Sequence, residues 1–145
     1  MSGDMSKYSY QSNFGKVALE VRGNIVIASF DGNINASITN YFRRALEHCL
    51  EQVEGHWGYI SHSKGAIAAT PDAYQQFLDI ARFCIERGCA CGAYILGNPI
   101  AKRQIEKMRA ELGFDGPLES VLFEDVDSAC QFINAHLEEL QQQAI

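Results

Sequence analysis

From residue 37 onward the chain alternates amphipathic helical stripes with short apolar runs, and that rhythm leaves few folds open. SITNYFRRALEHCLEQV sets Ile38, Tyr41, Phe42, Ala45, Leu46, Cys49, Leu50 and Val53 at spacings of three and four, the signature of one buried helix face. Ser37 is its expected N-cap. HWGYIS reads as a short strand. PDAYQQFLDIARFCIERG carries a second stripe (Tyr74, Phe77, Leu78, Ala81, Cys84, Ile85), with Gly88 placed to end it. CACGAYILG is almost wholly apolar, as a strand covered on both faces would be. After Pro99 a third helix turns Ile105, Met108 and Leu112 inward. SVLFED reads as a last strand, and Asp125 or Asp127 opens a last helix striped by Ala129, Phe132, Ile133, Leu137 and Leu140.

Ahead of this series, Val17, Leu19 and Val21 alternate with Ala18, Glu20 and Arg22, the period of a half-buried strand. Gly23-Asn24 supplies a two-residue turn, and Ile25 to Phe30 returns. Asp31-Gly32-Asn33 breaks the strand. The reading is a single α/β domain, β-β-α-β-α-β-α-β-α, with a mixed, mostly parallel five-stranded sheet and an N-terminal β-hairpin.

The 145 residues suit one domain, and 47% apolar with 21% charged residues is an ordinary globular balance. A net charge of −6 argues against nucleic acid as a partner. The densest basic cluster, Lys102, Arg103, Lys107 and Arg109, is interleaved with Glu106 and Glu111, as on a solvated helix face. No apolar run approaches the roughly 18 residues of a membrane span. MSGDMSKYSYQSN has no apolar centre, so residues 1–13 read as a flexible arm rather than a secretory signal, ahead of a domain at 14–141. Tyr8, Tyr10 and Phe14 could clamp a homodimer through that arm. The tail QQQAI is expected to fray. Five cysteines without a signal point to a cytoplasmic protein with reduced thiols; Cys89 and Cys91 could present two thiols to one strand face, but the second pair that a zinc site uses is missing. No metal or other cofactor is expected.

Motifs for dinucleotides, for nucleoside triphosphates and for a serine nucleophile elbow are absent. His48, His56 and His136 fall on helices or a connection, where a surface role is the default. His62 lies between Ser61 and Ser63, but adjacent strand residues point to opposite faces and do not form a nucleophile pair. Asp31, Asp72 and Asp125 lie at strand or helix ends without a defining spacing; Asp72 answers the helix dipole. Within KGAIAATPDAY, Thr70 reads as an N-cap and Pro71 as the first helical residue. SKGAIAA ahead of them reads as a loop longer than a cap requires. Asp31, Asn33, Ser61, His62, Ser63, Lys64, Thr70 and Asp72 are therefore the candidate interaction site.

The hairpin VRGNIVIASFDGNI, the segments GHWGYIS, ATPDAYQQFLDIARFCIERG and CACGAYILGNP, and the closing FEDVDSACQFINAHL carry a resemblance. Over residues 16 to 140 the chain resembles the SpoIIAA-like branch of the STAS superfamily, the fold of anti-sigma-factor antagonists. The resemblance implies a non-enzymatic regulatory domain that docks a protein partner through the loop before the second helix. In the antagonists that loop carries Asp-Ser-Ser-Gly, with a phosphorylated serine. Here the region reads SHSKGAIAATPDAY, so the switch does not transfer; Ser63 and Thr70 are positional analogues and the phosphoacceptor candidates. The alternative is a small-molecule ligand in an apolar pocket lined by Trp57, Tyr59 or Tyr94. A hydrolase using His62 with Ser61 or Ser63 is a third, less favoured reading.

Overall fold

The computed structural model describes residues 8–143. Its elements are β1 (Tyr8–Gln11), β2 (Gly15–Arg22), β3 (Ile25–Ile34), α1 (Ala36–Leu50), β4 (Trp57–Ala69), α2 (Pro71–Glu86), β5 (Cys89–Leu96), α3 (Pro99–Glu111), a 3-10 turn at Leu118–Val121 and α4 (Val126–Gln143). The five strands lie in sequence order; β1, β2 and β3 are antiparallel neighbours, and β3, β4 and β5 are parallel. This is the expected single α/β domain with a mixed five-stranded sheet, but its membership differs at both ends of the chain.

At the N-terminal end, Tyr8–Gln11 is not a free arm. It pairs with Lys16–Leu19, and its rings settle on α1: Tyr8 stacks on His48 at 5.8 Å and Tyr10 on Tyr41 at 5.3 Å. Two of the three aromatics expected to clamp a second copy are thus used within the chain, while Phe14 stays 70% exposed. Residues 1–7 of the expected arm lie outside the described residues, as do Ala144 and Ile145 of the expected frayed tail, whereas Gln141–Gln143 are helical. At the other end SVLFED does not form a strand. Ser120 gives both its amide (3.1 Å) and its hydroxyl (2.7 Å) to the Pro117 carbonyl, which closes a local turn. What remains of the pairing is one parallel bridge, Tyr94 to Leu122, with the Phe123 amide on the Tyr94 carbonyl at 2.8 Å. Strand pairings therefore divide evenly between antiparallel and parallel, rather than being mostly parallel.

The largest departure from expectation is the length of β3 and β4. SKGAIAA is not a loop; it continues β4 to Ala69 beside an equally extended β3, in pairings from Asp31–Gly65 to Ile34–Ala69, with one register shift just before them and one within. Gly32 makes this possible. It takes φ +74°, and the Phe14 carbonyl occupies the space a Cβ would need, so the strand kinks without leaving the sheet. Gly65 is small for a similar reason, because the Asp31 carboxylate lies where its Cβ would be.

Both parallel crossovers step in the same direction across the sheet, and connections of one hand then leave their helices on the same face. That face holds the first core: Val17, Leu19, Val26, Ala28, Phe30 and Trp57 against Ile38, Phe42, Ala45 and Leu46 of α1 and Ile80 and Cys84 of α2. Trp57 is fully buried with its Nε1 on the Arg87 carbonyl at 2.9 Å, so it belongs to this core and is not among the residues lining the cavity described below. α4 alone covers the opposite face, setting Ala129 and Ile133 against Ile25, Ile27, Ile60 and Ile95. The approach is close: a Cβ on Gly58 would collide with Ile133.

Helix starts follow side-chain chemistry. Asn35, not Ser37, caps α1: its side chain accepts from the Ile38 amide at 3.2 Å, and Ser37 donates to the same oxygen at 2.8 Å. Asp125 opens α4 by accepting from the Ser128 amide at 2.7 Å, leaving Asp127 in the first turn.

Candidate functional site

A cavity of about 440 Å³ lies over the C-terminal half of β4 and over β5, between α2 and α3 on the α1/α2 face of the sheet, and extends to the 3-10 turn and to Phe132 and His136 of α4, which brings His136 to its lining rather than to the open surface. Its origin is in side-chain size. Where α1 crosses the sheet, the facing residues are large and the space is filled. Under α2 and α3 the floor is Ser61, Ser63, Ala66 and Gly92, too small to meet the helices, which stand off on their own contacts of Tyr74 and Leu78 with Met108. Phe30, Phe42 and Phe77 close the deep end as a cluster of tilted and edge-to-face rings, with centroid separations of 5.2 to 5.9 Å.

Two ties hold the walls. The Tyr74 hydroxyl donates to the Glu111 carboxylate at 2.5 Å, joining α2 to α3. The Gln104 side chain accepts from the Ala69 amide and donates to the Ala69 carbonyl, both at 2.9 Å. Gln104 thereby stands in for a neighbouring strand at the point where β5 has ended and β4 still runs on. Gln104 did not stand out in the sequence, and Tyr74 stood out there only as part of an apolar stripe.

Few polar groups face the space. Ser61 and Ser63, 6% and 5% exposed, bond to each other at 2.8 Å on the floor. Burial drives the Tyr59 phenol well above its ordinary value and Tyr94 to about 12. Burial likewise pushes the thiols of Cys84 and Cys89 to about 12 and Cys91 to about 11, so they stay protonated and weakly nucleophilic near neutral pH. Cys89 and Cys91 do not share a face. A bulge after the Trp57–Cys89 pair turns Cys89 toward the first core and Cys91 toward α4. Among the described residues, no three His, Cys, Asp or Glu side chains are grouped to hold a metal ion.

The residues singled out in the sequence do not form one site. Ser61 and Ser63 line the cavity, and so do Tyr59 and Tyr94. His62 points through the opposite face, where its Nδ1 meets the Ser29 hydroxyl at 3.3 Å, so no His–Ser pair forms with either cavity serine. Asp31, Asn33, Lys64 and Asp72 are exposed at the ends of β3 and β4 and the start of α2, forming a rim outside the cavity. Thr70 and Asp72 are the helix start they resembled. Thr70 Oγ1 lies 3.4 Å from the Ala73 amide and donates to Asp72 at 2.6 Å, and Pro71 is the first helical residue. As a phosphoacceptor Ser63 would first have to leave a buried floor, and Thr70 would give up a cap.

No protein-family model matches the sequence, and no curated protein sequence matches it. Solved structures do match in shape. An anti-sigma factor antagonist from Mycobacterium paratuberculosis superposes with a TM-score of 0.56 at 12% identity, over 92% of this chain and 99% of that one. SLC26A9 superposes with a TM-score of 0.61 at 11% identity, over 82% of this chain. The fold is STAS-like. This chain spans about a fifth of SLC26A9, 21% of its length, and at such identities the likeness is one of fold alone.

In STAS-like terms the cavity sits behind the segment leading into α2. That segment presents alternate residues to two sides: Ser63 and Ala66 face inward, while Lys64 and Ile67, the latter 44% exposed, face out. Among the described residues no helix is long and apolar enough to cross a membrane.

Proposed function

We propose that this STAS-like chain is a non-enzymatic regulatory domain that binds a small apolar ligand between its sheet and helices α2 and α3. The observation that carries the reading is the cavity itself: about 440 Å³, walled by aromatic and aliphatic side chains. That is within the roughly 300–1,000 Å³ of small-molecule sites. On its floor Ser61 and Ser63 bond to each other, and Gln104 is engaged by the Ala69 main chain, as suits an apolar guest. The buried, protonated thiols and the separation of His62 from Ser61 and Ser63 favour binding over covalent chemistry.

Gly92 provides the test. A Cβ there would meet its nearest neighbours, the Tyr59 carbonyl and the Tyr94 hydroxyl, at 3.7 and 3.8 Å, so the backbone accepts a side chain that would then occupy the cavity. Native mass spectrometry of the freshly purified protein is expected to show a co-purifying apolar mass, and decanol is expected to bind in calorimetry. Gly92→Leu should fold normally and lose both. Undiminished binding in that variant, or no binding in the parent, would overturn the reading.

A protein-docking role for the rim is the second reading. Asp31, Asn33, Lys64 and Asp72 stand exposed beside Phe14 and Ile67, a polar ring with two unpartnered apolar side chains. Because Lys64 and Ile67 share a strand with the cavity wall, a guest that shifts this strand would alter the rim. A partner captured by the parent protein and lost with Phe14→Ser and Ile67→Ser, while decanol binding persists, would support it.

A further inference from the structure

The cavity has one permanent cation, and it lies near the mouth. Arg109 and Asp115 are the fully charged residues among those lining the space. Arg109 is the i+4 neighbour of Ile105 and follows Met108, so on α3 it lies at the edge of the inward stripe, half-buried, and of the basic residues Lys102, Arg103, Lys107 and Arg109 it is the one that lines the cavity. Its guanidinium lies 5.4 Å from the centre of the Phe114 ring, and Nη2 reaches the Asp115 main-chain carbonyl at 3.5 Å. Among the described residues no carboxylate forms a salt bridge with it. Tyr94 is near enough for the guanidinium to oppose the effect of burial on its phenol. A permanent cation without a counter-ion, beside a buried phenol at one end of an apolar space, suits an anion attached to an apolar chain.

We infer that the cavity takes a long-chain monocarboxylic acid, its carboxylate on Arg109 and the Tyr94 hydroxyl and its chain running inward toward Phe30 and Phe77. A single guanidinium matches a single negative charge. A phosphate monoester, with close to two charges, would call for a further cation, and Asp115 lines the mouth instead. Asp115 is exposed, so water screens its repulsion of a carboxylate more than it screens the attraction of the half-buried Arg109.

This assignment rests on the cavity being a ligand site, and the experiment separates the two. Calorimetry on the full chain, stripped of bound lipid, compares decanoate, decanol and decyl phosphate at neutral pH. Decanoate should bind at least about tenfold tighter than decanol, as a charge-assisted hydrogen bond implies. Lengthening the acid should tighten binding by roughly fourfold per methylene until the cavity is full. Arg109→Gln should bring decanoate down to the affinity of decanol and leave decanol unchanged; Arg109→Lys should restore part of the preference. Equal binding of acid and alcohol, a preference for decyl phosphate, or a preference that survives Arg109→Gln would overturn the carboxylate assignment while leaving the apolar site standing. Failure of decanol and decanoate alike would overturn both.

Discussion

Thr70, Pro71 and Asp72 show how little of a functional-looking motif needs a function. Thr70 caps α2, and Thr70→Ala should destabilise the fold by about 1 kcal/mol, measured as a shift of the urea midpoint at unchanged slope. Asp72 adds a pH dependence. The Thr70 hydroxyl, followed by the Ala73 amide, holds its carboxyl below the ordinary 3.8, so the folded chain binds that proton less readily than the unfolded one. Its contribution is complete above 3.8 and fades as pH falls through the lowered value. Asp72→Asn should therefore lose less stability than the parent when melting temperature is followed from about pH 5 to about pH 2. An identical acid profile would remove this assignment. Asp125, lowered by the Ser128 amide, contributes in the same direction at the start of α4 and remains in that variant as an internal control.

At the scale of elements, the two long strands and the helix that tends them form the main device. β4 runs past the end of β5, and Gln104 on α3 satisfies the exposed amide and carbonyl of Ala69 in place of a strand. Gln104→Leu leaves both groups without that partner and should cost about 1–3 kcal/mol. Amide exchange at Ala69 should accelerate more than in β2. A uniform loss of protection across the sheet would show that Gln104 acts on global stability rather than on this junction. The extension of β4 was not legible locally, because Gly and Ala are poor strand formers and SKGAIAA has one β-branched residue. Pairing with β3 overrode that propensity. The same contest ended the other way at SVLFED, where the apolar run was readable but Ser120 and Pro117 closed a turn before a sixth strand could form.

For the whole molecule, the asymmetry of the two faces matters most. α4 packs tightly on one side, while α2 and α3 stand over small floor residues on the other. A bound guest should therefore rigidify one side. With decanol present, hydrogen exchange should slow in α2 and α3 and stay unchanged in the β2–β3 hairpin. Uniform slowing would indicate a global gain in stability instead. Arg109 shows what a linear reading misses at this scale. Its place in the stripe of Ile105, Met108 and Leu112 was visible, but its charge and the glutamates around it placed it on the solvated face. The wall opposite, which makes that stripe position a cavity position, is built from residues of β4 and β5.

Hydrophobic period, with local turn and cap chemistry, determined the class, the four helices, the hairpin and the cap at Thr70, because these depend on residues within a turn or two of each other. Tertiary structure decided how far β3 and β4 run, which face each cysteine and histidine takes, and that a cavity exists at all. Strand length is set by the neighbouring strand, facing by bulges that shift a period of two, and empty volume by the sum of side chains from three strands and all four helices. SKGAIAA gathers all three: a loop by composition, a strand by pairing, and the wall of a cavity because its residues are small.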